Sequence, residues 1–371
     1  MKLASIQDLY AHSGPFVTVH VDVSRNTEDA PQQREARWTS VRHALEHAGV
    51  DQGLIARIGE RLQEPTDVPG EARRTIVAAD DKIVFDDVRA GHTIWPETTS
   101  CGPLPDLSGW LHQVDGQIPF VLVTADREGA DIDFYRATSK PDAQHQEVHG
   151  DTLHITKVPQ GDWAQKQFQR RSENVWQKNA REVADAVRTA CAEHRPRVVV
   201  LAGDERARAD IVESLDGLNC EVEQVNAGGR AAGSSTDALW GEVREVLARA
   251  EAYDEQQVSE RLMEKTGQGT GAARGLGDVL DALVQGKAER LVLDLRAAHE
   301  MTVNPADHPG LALPASAGNE SELPADQVLV AVGAATGAEL SVLPAEQTKG
   351  AGVAALLRWD DRPTAALPDG P

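Results

Sequence analysis

Aromatic residues are scarce in this chain: 15 of its 371 positions hold Phe, Tyr or Trp, 4% of the sequence. Its cores must be built mainly from Val, Leu, Ile and Ala, drawn from a hydrophobic fraction of 40% that is ordinary for a globular protein. Cysteine is nearly absent too. The three present, Cys101, Cys191 and Cys220, are odd in number, far apart in sequence and never in a CxxC pair. That excludes a disulfide framework and a thiolate zinc site, and leaves free thiols in a reducing compartment as the expectation. No apolar run approaches the ~18 residues of a membrane helix, and the opening MKLASIQDLY lacks the apolar stretch of a signal peptide. The expected location is the cytoplasm, with no membrane contact. Positive charge is short as well: 37 Lys and Arg stand against 59 Asp and Glu, a net charge of −22. Proteins that coat nucleic acid need a basic surface, because phosphate neutralisation dominates their affinity. DNA binding is therefore excluded, and RNA contact is limited to local basic elements.

What is present fits two or three α/β domains. Phe16–Val23 alternates Val17, Val19, Val21 and Val23 with Phe16, Thr18, His20 and Asp22, which predicts a half-buried strand. A helix is expected from about Arg34 to His47, with Trp38, Val41, Leu45 and Ala48 at helical spacing and Arg34, Arg37 and Arg42 on other faces. A second helix carries Leu54, Ile55, Ile58 and Leu62, and short strands follow at Arg74–Ala79 and Lys82–Val88. Thr98–Leu107, rich in Ser, Pro and Gly, reads as a loop. Pro119–Ala125 and Asp131–Ala137 form a hairpin pattern, followed by a polar excursion to about Gly161 and a long amphipathic helix from Trp163 to Glu193. Arg197–Leu201 is a continuous apolar run of the buried-strand type, with a helix after it at Arg206–Leu215. A long helix, Asp237–Lys265, leads to a last unit with a helix at Gly275–Val284, a strand at Arg290–Leu295, a loop at Arg296–Pro324, a helix at Asp326–Thr336 and strands at Glu339–Leu343 and Val353–Trp359. The residues after Asp360 read as a disordered tail.

Most motif matches are inert on inspection. His43, Glu46 and His47 fit the order of one zinc peptidase class, but the helix is short and no third ligand is evident, so a solvated face is the reading and no metal is expected. Gly267, Gly269, Gly271 and Ala272 fit a loose dinucleotide pattern, yet a helix precedes them where the fingerprint needs a strand. They read as a flexible interdomain joint, and no cofactor is expected. Gly228-Gly229-Arg230 reads as a mobile connection. Asp204 and Glu205 stand after a buried strand, where α/β sheets place ligands, and where helix N-termini also favour acids. The informative segment is Lys157–Arg171, KVPQGDWAQKQFQRR. Lys157, Lys166, Arg170 and Arg171 face one acid, Asp162, with Trp163 and Phe168 interleaved, which is how a limited RNA contact is made: cations meet phosphates and a ring stacks on a base.

Two C-terminal stretches carry a family likeness. Gly275–Leu293, GLGDVLDALVQGKAERLVL, resembles the helix-then-strand opening of the third domain in the archaeo-eukaryotic peptide chain release factor family. Gly350–Trp359, GAGVAALLRW, resembles its closing strand. Phe16–Val23 with its helix is similar to the family's first domain, and Phe120–Arg136, Asn174–Val187 and Val198–Asp204 are similar to its middle one. The resemblance implies three domains, at 1–117, 118–256 and 257–360, before a tail at 361–371. The middle domain would be RNase H-like and the last an α/β/α sandwich of the ribosomal-protein kink-turn-binding type. It also implies the ribosome as partner. The departures are specific. No Gly-Gly-Gln occurs anywhere, and its place, near Val158–Gln165, holds Gln160-Gly161-Asp162-Trp163; no Asn-Ile-Lys-Ser stop-codon reader occurs in the first domain. The chain therefore resembles most the bacterial branch, of the Balon-type hibernation factors that occupy the A site of idle ribosomes, including with elongation factor Tu present. That implies RNA contacts at Lys157, Gln160, Gly161, Trp163, Lys166, Arg170 and Arg171, with Arg34, Arg37 and Arg42 toward the decoding centre and no catalytic residue. The enzymatic alternative is a peptidyl-tRNA hydrolase acting in ribosome rescue, in which Gln160 or Gln165 orients water.

Overall fold

The computed structural model describes residues 1–25, 30–66, 71–91, 93–135, 145–149, 162–230, 236–348 and 350–359, with residues 90, 149, 162–172 and 236 described by their backbone alone. It is a mixed α/β chain built on three sheets of four or five strands and a two-stranded ribbon. Contacts gather these into two compact units, one of Met1–Gly116 with Asp254–Pro371 and one of Gln117–Tyr253. Among the described residues no helix is long and apolar enough to cross a membrane.

In the first segment Phe16–Asp22 is a central strand, antiparallel to Ala72–Ala79 on one side and to Thr98–Gly102 on the other. The sequence predicts it half-buried, but two of its polar alternates are as enclosed as its valines: Thr18 is 0% exposed and His20 1%. The valine face packs under the helices Ala30–His47 and Gln52–Gln63 through Val41, Leu45, Ile55 and Ile58. Ala48, expected in that stripe, is exposed. The second face is covered by a helix absent from the sequence reading, Ser108–Asp115, whose Gly109 comes so close to His20 that a Cβ there would stand 2.6 Å from the ring. Thr98–Gly102, expected as loop, is an edge strand: its Thr-Thr-Ser backbone completes the sheet, and only the polar composition disguised it.

His20 is a buried base held neutral. Its Nδ1 meets Thr75 Oγ1 at 2.8 Å, and burial, reinforced by the charge of Arg73, lowers its pKa from 6.5 to about 4. The unfolded chain takes up that proton first, so the stabilisation is whole above pH 6.5 and is lost as pH falls through 4, a change of about 3 kcal/mol. Urea titrations between pH 7 and pH 4 should show this loss, and His20→Gln should remove that part of the slope.

The third segment forms a four-stranded sheet in which Ala288–Leu293 lies between Glu339–Val342, parallel, and Val353–Leu357, antiparallel. Alternation sends Leu291, Leu293, Val353 and Ala355 to one face, against the helices Leu276–Val284 and Ala325–Thr336. Val292, Ala354 and Leu356 go to the other, against Val258 and Leu262 of the helix Thr236–Gln268. This is the expected α/β/α sandwich. The glycines of 267–272 do not join domains. They end that helix and turn it, through Gly269 and Gly271 at φ +67° and +75°, into the edge strand Ala272–Arg274. Arg296–Pro324 is not one loop either: the short helix Leu295–His299 opens it, capped by Asp294, and Thr302–Val303 pairs with Leu323–Pro324.

The first and third segments share one core. Leu3, Ile6, Leu9, Trp110 and Leu111 join Val279, Leu283, Val328 and Leu329 in a single buried cluster, each large side chain contributing about 2 kcal/mol. Met1 fixes the edge: its ammonium meets Asp115 Oδ1 at 3.0 Å, and Leu3 N donates to Ala338 O. A polar node lies inside this junction. Ser108 Oγ donates to Asp326 Oδ2 at 2.6 Å, and His299 Nδ1 meets the same oxygen at 3.1 Å. Burial pushes the Asp326 carboxyl up, opposed by Ser108 and His299.

Candidate nucleic-acid interface

The middle unit is a five-stranded sheet in which Phe120–Ala125 is parallel to Val198–Gly203 and antiparallel to Gly129–Tyr135. Both faces are covered. Val121, Val123, Ile132, Phe134, Val199 and Leu201 pack against the helices Asp162–His194 and Glu205–Ser214. Phe120, Leu122, Tyr135, Val198 and Val200 pack against Leu239, Val243 and Leu247. Among the described residues the polar excursion holds a strand beyond expectation, His145–His149, paired with Gly129–Asp133.

The candidate RNA-contacting residues Trp163, Lys166, Arg170 and Arg171, together with Gln165, fall in the first turns of the helix Asp162–His194. Lys157, Gln160 and Gly161 lie outside the described residues. The helix is 33 residues long, about 50 Å at 1.5 Å per residue. Its grip on the sheet begins, among the described side chains, near Trp176 and Asn179. Asn179 is 3% exposed and its Nδ2 donates to Arg127 O at 3.0 Å. The Arg127 guanidinium lies 4.5 Å over the Trp176 ring, while Ala180, Val183, Ala184 and Val187 are buried. Trp163 is therefore about 24 Å along the axis from Asn179.

The carboxyl ends of the parallel strands are tightly built. Gly203 has φ +105°, and a Cβ on it would stand 1.9 Å from Ala125 O. Asp204 caps the next helix, accepting from Arg206 N and Ala207 N at 3.0 Å each. Partial burial works to raise its pKa, but those two N–H groups and Arg127 outweigh it and hold the carboxyl below its usual range. The Asp204 carboxylate thus serves the helix terminus. The Gly-rich loop is anchored where the sequence suggests mobility: Arg230, 14% exposed, reaches Asp131 Oδ2 at 3.2 Å, Asp126 Oδ1 at 3.1 Å and Glu147 Oε1 at 3.0 Å. Sequence reading missed this clamp, because its four members are spread from residue 126 to residue 230.

In the first unit Arg34, Arg37 and Arg42 all sit on the helix Ala30–His47. They differ in availability. Arg37 is neutralised by Glu97 at 2.8 Å and Asp22 at 3.8 Å. Arg34 lines a cavity of about 290 Å³ with Val21, Trp38 and Gln63, and its Nε is buried without a partner among the described residues. Arg42 makes no ion pair among them. His43, Glu46 and His47 are exposed, and no group of three or more potential ligands among the described residues is placed to hold a metal.

A doubly covered mixed sheet, a 33-residue helix opening on a basic, Trp-bearing sequence, and an α/β/α sandwich define a mixed α/β protein built on several sheets. Residues 119–268 match the family described as bacterial archaeo-eukaryotic release factor family 2. The uncharacterized protein Rv2629 of Mycobacterium tuberculosis is 26% identical over 299 residues, covering 79% of this chain and 78% of its own. Among solved structures, Archaeoglobus fulgidus Pelota is 16% identical with a TM-score of 0.34, covering 78% of this chain and 80% of its own. S. cerevisiae Dom34, described as a translation termination-like factor involved in RNA quality control pathways, is 11% identical with a TM-score of 0.41, over 81% and 80%.

Proposed function

We propose that this protein is a ribosome-binding translation factor related to release factors, which occupies the A site of idle ribosomes as a hibernation factor and does not release the nascent peptide. The observation that carries the reading is the release-factor family match across residues 119–268, a span that contains the long helix with its basic N-terminal turns. The absence of Gly-Gly-Gln and of Asn-Ile-Lys-Ser supports the loss of termination chemistry. Gln160–Arg171 would lie toward the peptidyl transferase centre, where Asp162 is a poor companion for an ester among phosphates. The helix with Arg34 and Arg42 would lie toward the decoding centre, and the acidic remainder would face solvent or protein, with elongation factor Tu as the companion. Three domains, at 1–117, 118–256 and 257–360, divide these roles, and the cytoplasm is the compartment they require.

The test is cosedimentation with 70S ribosomes, with and without messenger RNA, paired with a peptidyl-tRNA release assay. The expected result is binding that survives without message and no release above the uncatalysed background. Release abolished by Gln160→Ala would establish the hydrolase reading instead.

A further inference from the structure

Cys191 and Cys220 are 29 residues apart in sequence and remote by motif, yet the middle unit brings their sulfurs to 3.7 Å. Cys191 lies on the last full turn of the helix Asp162–His194, whose backbone ends at Arg195 in a left-handed turn, φ +50°. Cys220 immediately precedes the edge strand Glu221–Gln224, which runs parallel to Val198–Gly203. The chain between them is closed at the same place by Glu221 N donating to Arg197 O and by the Arg197–Glu221 ion pair at 3.1 Å. Both thiols are reduced and half-buried, packed at the rim of the core that includes Ala190, Val199 and Leu215. Neither sulfur has been claimed by the proposed ribosomal contact.

We propose that Cys191 and Cys220 form a reversible disulfide clasp, closed by hydrogen peroxide, that pins the C-terminal end of the long helix to the edge of the sheet. The elements flanking the pair are already fixed by backbone pairing, so closure needs the sulfurs to approach by less than 2 Å, against an S–S bond of about 2.05 Å. Burial pushes the Cys191 thiol up, which suits Cys191 to the resolving step after attack by Cys220. The Cys220 thiolate sulfur attacks one peroxide oxygen as the O–O bond breaks, giving Cys220 sulfenic acid and hydroxide. The Cys191 sulfur then attacks that sulfenic sulfur; the S–S bond forms as the S–O bond breaks, and the Cys191 proton leaves with the departing oxygen as water. One peroxide is consumed, two thiols are oxidised, and a dithiol reductant reverses the step by exchange.

The clasp makes no demand on the ribosomal reading and is tested apart from it. The full-length Cys101→Ser variant is treated with hydrogen peroxide, its remaining thiols are alkylated, and peptides are mapped without reduction, alongside Cys191→Ser and Cys220→Ser in the same background. A cross-linked Cys191–Cys220 peptide is expected, with neither thiol alkylated. Thermal unfolding of the middle unit should rise by about 10 °C, as closing a loop of this length predicts, and return to its starting value with dithiothreitol; neither single variant should shift upward. Two thiols that stay alkylatable, or sulfinic acid at Cys220 in place of the cross-link, would overturn the proposal. A cross-link that forms without raising the transition would show that it strains the fold instead of clasping it.

Discussion

Reversing Arg170 and Arg171 together to Glu is expected to weaken ribosome binding by about 50-fold near 0.1 M salt and to make its salt dependence shallower by about two counterions. The two residues are half of the four cations that Lys157–Arg171 sets against a single acid, in a chain whose formal charge is −22. Outside this segment and the helix with Arg34 and Arg42 the acidic surplus opposes approach to phosphate, so little else can hide its loss. Affinity measured over a salt series by cosedimentation gives both numbers at once. The matched control is Arg188→Glu on the same helix, where Arg188 already serves Asp185 at 2.9 Å; its effect should stay within about twofold, the size of a screened surface charge. If Arg170→Glu with Arg171→Glu binds as the parent does, those two residues have no part in the contact.

Gly203→Ala should unfold the middle unit or destabilise it by at least about 4 kcal/mol, through two separate penalties. The backbone at φ +105° is one that an L side chain rarely adopts, and the new Cβ would be 1.9 Å from Ala125 O, an atom fixed by the parallel pairing of Ala125 with Gly203. No side-chain rotation relieves a clash with a strand carbonyl. Gly217→Ala separates the two effects: at φ +82° it carries backbone strain but meets nothing within 4 Å, so it should cost only about 1 kcal/mol. Urea unfolding followed by the fluorescence of Trp176 and Trp240 would report both variants. A Gly203→Ala protein as stable as Gly217→Ala would mean that the strand ends part readily.

Sequence periodicity recovers elements whose burial is one-sided or complete over a long run. Val198–Leu201 reads as a buried central strand and is one, and the long helix is placed to within a residue at each end, because Val183 and Val187 repeat at helical spacing. Failures occur where partners rather than patterns decide. Thr98–Gly102 and His145–His149 are polar edge strands whose only signal is the neighbour they pair with. His20 falls on the polar side of its strand's alternation, which predicts an open face, yet that face is closed by Gly109, 89 positions later. The basic segment at the candidate site is legible because it is local. Arg230 with its three carboxylates, and Cys191 beside Cys220, are not, since each is assembled by tertiary contact from residues that no short window contains.

The shared core of the first and third segments bears on how the protein is made. Leu3, Ile6 and Leu9 pack on side chains beyond residue 270, and Met1 O accepts from Leu340 N. A growing chain emerges N-terminus first, so these apolar residues stay without their later partners until residues 273–340 have been synthesised, while Gln117–Tyr253 can close on itself earlier. Birth order and the order in which native contacts can close are therefore reversed for the opening residues, whose apolar side chains wait longer for cover than those of the unit that follows them.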